Sequence, residues 1–186
     1  MTKKIFLLPF LLVCAVFAIG QLPRRDPLTN AEVDKVRDAA QEPEERLKLY
    51  VEFARARIDK VQQIHADLKA TDRAAQTRSA LQDFLDVYDE LNTNVDTYAD
   101  RGDDLRKALK PVIEADTEFG AKLRAFKASL SATPKEAQDD DFLLGSALEA
   151  VDDGAKDHRD LLAQQEEAFK HKKKQNDKET SQRSDE

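Results

Sequence analysis

The chain is poor in the residues that carry most protein chemistry. Among 186 residues there are one cysteine, one methionine, no tryptophan, three histidines and five glycines. A lone thiol closes no intramolecular disulfide and builds no cysteine cage around a metal. The glycines are dispersed rather than grouped ahead of a helix, so no phosphate-cradling loop is present. No Glu-x-x-His pair occurs, which removes the ligand pattern of a di-iron bundle. Ser79, Ser129, Ser131 and Ser146 lie in no nucleophile-elbow sequence. The formal charge of −7 opposes a broad phosphate-binding surface, and no nucleic acid is expected as a partner.

What is present begins with MTKKIFLLPFLLVCAVFAIGQ. Two lysines, an apolar run from Ile5 to Ile19 and small residues at Ala18 and Gly20 have the three-part order of a secretory signal peptide over residues 1–20. The run is shorter than the roughly 20 residues a helix needs to span a bilayer, and Pro9 interrupts it. An uncleaved membrane anchor is the second interpretation of that segment. Lipidation at Cys14 is disfavoured, because Val13 stands where Gly or Ala is expected. Cleavage after Gly20 would remove Cys14, leave a chain without a thiol, and shift the charge to −9 with the loss of Lys3 and Lys4. The expected location is therefore exported, periplasmic or extracellular, with no integral membrane domain after cleavage.

The rest reads as one helical domain over 29–174, after a flexible lead-in at 21–28 and before a disordered polar tail at 175–186. Thr29 followed by Glu32 has capping-box spacing and predicts a short helix. Pro43 in EPEE suits the first turn of the next one, and Thr133 in TPKE caps the last. Leu47, Val51, Ala54, Ile58, Val61, His65 and Leu68 repeat at intervals of four and three, which places them on one helix face. Leu81, Phe84, Tyr88, Leu91, Val95 and Tyr98 form a second stripe. A third runs through Leu105, Leu109, Val112, Asp116, Phe119, Leu123, Phe126 and Leu130, and a fourth from Leu144 through Leu148, Val151, Ala155, His158, Leu162 and Gln165 to Phe169.

Two all-α architectures fit these stripes. One is an antiparallel four-helix bundle with helices 44–70, 73–100, 103–131 and 134–171 and a break near Gly102. The other is an elongated, coiled-coil-like domain in which 73–131 is one helix kinked at Pro111. The bundle is the favoured form.

The stretch LNTNVDTYADRGDDL, residues 91–105, is the nearest approach to an ion-binding motif. Counted from Asn92, oxygen-bearing side chains fall at several calcium-loop positions. Thr97, however, stands where that loop needs glycine, and Asp103 replaces the bidentate glutamate. Leu91, Val95 and Tyr98 also keep a helical period through the stretch.

His65, Asp116 and His158 each interrupt an apolar stripe and are the only metal-ligand candidates. At about 1.5 Å per residue, the bundle places them in three different layers, so convergence is not expected. No cofactor and no catalytic residue is expected. The functional expectation is a noncatalytic exported protein that uses amphipathic helix faces for protein interaction, self-association or envelope assembly. A small-ligand or metal-binding bundle and a nucleotide-independent chaperone are the alternatives.

Overall fold

The computed structural model describes the backbone of residues 26–67, 69, 71–130 and 134–184, and their side chains except at 134–141 and 176–184. The expected leader with Cys14, most of the lead-in, Leu68 and the Thr133 cap lie outside the described residues. The described chain is all-helical: α1 Asn30–Asp38, α2 Pro43–Ala66, α3 Arg73–Asp100, α4 Leu109–Leu130 and α5 Pro134–Ser184.

Helix α1 starts as its capping box requires. The Glu32 amide donates to Thr29 Oγ1 at 3.3 Å, and the Thr29 amide donates to Glu32 Oε2 at 2.8 Å. The same carboxylate accepts from Arg57 of α2 at 2.6 and 2.9 Å, and Arg57 also donates to the Pro27 carbonyl at 3.0 Å. One glutamate thus caps α1 and fastens it to α2. Partial burial pushes the Glu32 carboxyl up, but the Arg57 and Thr29 hydrogen bonds outweigh it and hold the group below its ordinary value of 4.5. That stabilisation is full above pH 4.5 and is lost as pH falls through the depressed value. Glu32→Ala is expected to cost about 2 kcal/mol, since it removes a cap and a mostly buried ion-pair partner. Backbone amide exchange should accelerate over 30–38 and stay unchanged at amides of α3 and α4 that open without detaching α1; unchanged exchange over 30–38 would contradict this role.

Helix α3 ends where glycine permits it. Gly102 adopts φ 78°, its amide donates to the Ala99 carbonyl at 2.9 Å, and the Asp103 amide donates to the Tyr98 carbonyl at 3.0 Å. This is the Schellman arrangement, and it rules out the continuous 73–131 helix. Helix α4 begins at Leu109, later than the expected 103. Pro111 has no amide hydrogen and its ring crowds the carbonyl of residue 107, so a regular helix cannot pass through 107–111. With Leu109 as the first helical residue, Pro111 falls in the first turn, where no intrahelical donor is needed. The expected end of the last helix at 171 is also passed, because α5 continues to Ser184. The residues just past 171, Lys172, Lys173, Lys174 and Gln175, carry little helix penalty.

The helices alternate in direction along the chain but are not arranged around the bundle in chain order. Helix α2 packs on α3 and α4, and α5 packs on α4 and α3. Among the described residues, α3 and α4 make no close backbone approach and occupy opposite corners. Segment 101–108 therefore crosses the end of the bundle diagonally. Gln165 of α5 holds this crossing: its Oε1 accepts from the Leu105 amide at 2.8 Å, and its Nε2 donates to the Asp103 carbonyl at 3.0 Å. The diagonal makes α2 and α4 parallel neighbours. Arg55 meets Glu118 at 2.9 Å and, one turn on, Asp59 meets Lys122 at 2.6 Å, so both helices advance together. By the same connectivity α3 and α5 run parallel, with a groove between them.

The second and third apolar stripes are buried throughout, and so are Leu47, Val51, Ala54, Ile58 and Val61 of the first. Phe84, Tyr88 and Phe119 meet at the centre, with Phe84 edge-on to Phe119 at 5.4 Å. The fourth stripe is buried at Leu144 and Val151 and reaches solvent at Phe169. No helix among the described residues is long and apolar enough to cross a membrane.

Candidate functional site

A carboxylate in an apolar stripe loses hydration on folding and needs partners to replace it. Asp116 is 1% exposed and has two. Tyr88 Oη donates to Asp116 Oδ1 at 2.8 Å, reaching across the bundle diagonal from α3. His158 Nδ1 donates to Asp116 Oδ2 at 2.9 Å from α5. Burial, reinforced by the Asp116 charge and hydrogen bond, raises the Tyr88 hydroxyl far above the ordinary tyrosine value, so it stays a protonated donor. Gly154 makes this possible: a Cβ at that position would collide with Tyr88 Oη.

Asp116 and His158 therefore share a layer, contrary to the expectation from helix lengths. The error lies in the origin used for α5. The helix starts at Pro134, but among the described residues its first fully buried large side chain is Leu144, which faces the core as Leu130 does at the end of α4. Asp116 precedes Leu130 by the same number of residues as His158 follows Leu144, and equal rises bring them level.

His65 does not join them. It lies near the other end of α4, edge-on to Phe126 at 5.0 Å, with Nε2 3.3 Å from Ser129 Oγ. That contact is not an activated serine, because the Ser129 hydroxyl donates to the Phe126 carbonyl at 2.7 Å. No three His, Cys, Asp or Glu side chains among the described residues are grouped to hold a metal. Both oxygens of Asp116 are already occupied by Tyr88 and His158.

His158 has a second aspect. Its side chain is 4% exposed, yet it lines a groove of about 620 Å³ between α3 and α5. Nε2 makes no hydrogen bond among the described residues. Around it stand Asp96 and Asp100 of α3 and Asp153, Asp157 and Asp160 of α5. Lys156 approaches Asp157 and Asp160 at 4.0 and 3.7 Å, whereas Asp96, Asp100 and Asp153 have no ion-pair partner among the described residues. Asn92, also on the groove, has a buried Oδ1 without a donor. The groove is thus an assembly of acceptors with little positive charge to answer them, and its chemistry suits ammonium or guanidinium groups.

Asn92, Asn94, Asp96 and Asp100 belong to helix α3, so the stretch 91–105 is a helix end and not an ion loop. Asn94 accepts from Arg46 at 2.8 Å, a helix-to-helix tie. Sequence reasoning selected Asp116 and His158 but passed over Tyr88 and Gly154 as their partners. A glycine within a helix opposite a stripe tyrosine is the only local signal of that contact. Comparison with protein-family models, curated proteins and solved structures gives no match.

Proposed function

We propose that this chain is a noncatalytic helical protein of the exported compartment that acts by binding a protein partner through the α3/α5 groove. The single observation that carries this is the set of acidic side chains, Asp96, Asp100 and Asp153, held on one groove without cationic partners. The amphipathic faces first expected to meet a partner are closed on one another inside the bundle, leaving a polar surface for recognition. Such surfaces contribute orientation and association rate as well as affinity. A chaperone mode has little physical support here, since Phe142 and Phe169 are the only large apolar side chains exposed among the described residues.

The test is site-specific photo-crosslinking in the original host. A probe at Asp96 is expected to capture a discrete protein adduct, while one at Glu52, on an exposed position of α2, captures none. Equal labelling from both sites, or none from either, would overturn the proposal.

A small organic cation is the second reading, favoured by the groove volume and by the carboxylates that line it beside His158. Native intact-mass analysis of material from the host would then show a reproducible nonpeptidic addition, lost in His158→Phe.

A further inference from the structure

Helix α5 carries opposite charges on one face. Asp153, Asp157, Asp160 and Gln164 line the groove. Continuing at alternate intervals of three and four residues, the same face presents Glu167, His171 and Lys174. Residues 167–175 are all exposed, although Phe169 still packs under Arg106 of the diagonal crossing, so the helix stands clear of the bundle only beyond Lys172. Lys172, Lys173 and Lys174 make no ion pair among the described residues, in a chain that is acidic overall.

Resting on the groove as the interaction surface, we propose that its occupant is the lysine-rich end of α5 from a second copy of this chain. Lys174 cannot reach the groove of its own copy, because about 25 Å of continuous helix separates it from Asp157. Antiparallel pairing of two α5 helices satisfies both copies at once. A two-fold axis between Gln165 and Glu166 sets Asp157 opposite Lys174, Asp160 opposite His171, and Gln164 opposite Glu167. Ala163 and Ala168, both exposed, also fall opposite one another, so no bulky side chain holds the helices apart there. This is an isologous contact, with each patch meeting its complement on the other copy. His158, mostly buried and lining the same groove, makes no hydrogen bond through Nε2 among the described residues, and so adds an unpartnered polar atom to the carboxylates that the lysines face. Contacts between exposed charges give a weak, salt-sensitive dimer.

Sedimentation velocity of the full chain tests this. A concentration-dependent dimer is expected at low salt, dissociating as ionic strength approaches about 0.5 M. Asp157→Lys and Lys174→Asp each place like charges opposite one another and should weaken the dimer at least tenfold, while the double exchange restores it. Both positions are exposed, and unchanged circular dichroism would confirm that the fold is intact. A chain that stays monomeric at low salt, or a dimer indifferent to both single reversals, overturns the proposal. A monomer that still forms the Asp96 adduct with a different protein overturns the second copy alone, whereas a monomer with no adduct overturns the groove reading as well.

Discussion

Asp116→Ala is expected to lower unfolding free energy by about 3–5 kcal/mol, read from the urea midpoint at unchanged slope. The loss is larger than the worth of two hydrogen bonds. Alanine leaves Tyr88 Oη and His158 Nδ1 facing an apolar space, each bearing its own desolvation penalty. Asp116→Asn should cost less, about 1–2 kcal/mol, because the amide oxygen still accepts from Tyr88. Its nitrogen is a donor, however, so His158 must offer a bare Nδ1 and carry its hydrogen on Nε2, toward the groove. Nitrogen chemical shifts of the His158 ring would show that change of tautomer. An alanine variant that loses less than about 1 kcal/mol, or less than the asparagine variant, would contradict the assignment of Asp116 as the shared acceptor.

Much of the helical content was legible because its causes are local. The Thr29 and Glu32 capping box, the apolar intervals of α2 to α4 and the left-handed glycine at position 102 each depend on a few neighbouring residues. The arrangement of helices around the bundle depends on contacts distant in sequence. Helix length from Pro134 mislays His158 because the core layers are set by packed side chains and not by where a helix begins, and the burial of Leu144 reveals the offset. The diagonal crossing was equally hidden. It follows from the path of 101–108 and from the Gln165 clamp, and glutamine in an apolar stripe does not announce which backbone it will hold. The candidate site inherits both effects: the groove exists because the crossing makes α3 and α5 neighbours, and His158 reaches it because of the offset.

The Tyr88 contact provides the sharpest test of that geometry, because two helical glycines predict opposite results. Gly120→Ala should stabilise the chain by about 0.5–1 kcal/mol, since a helix-interior alanine is favoured and the new Cβ meets chiefly the end of the Arg124 side chain, whose exposed ion pair with Asp152 costs little to shift. Gly154→Ala offers the same helix gain but directs its methyl at the Tyr88 hydroxyl, with Tyr88 Cζ at 3.1 Å and Cε1 at 3.2 Å behind it. That ring is confined by Phe84 at 5.9 Å and Phe119 at 6.3 Å, so it cannot swing aside as Arg124 can. Yielding breaks the Asp116 hydrogen bond, and not yielding strains α5; either way the net loss should be about 2 kcal/mol. Tyr88→Phe removes the colliding oxygen at the cost of an unsatisfied Asp116 Oδ1. In that background Gly154→Ala should cost about 1 kcal/mol or less, giving a coupling of at least about 1 kcal/mol between the two positions. Additive losses would mean that Tyr88 does not occupy the space beside Gly154, and the link from α3 to Asp116 would fall with it.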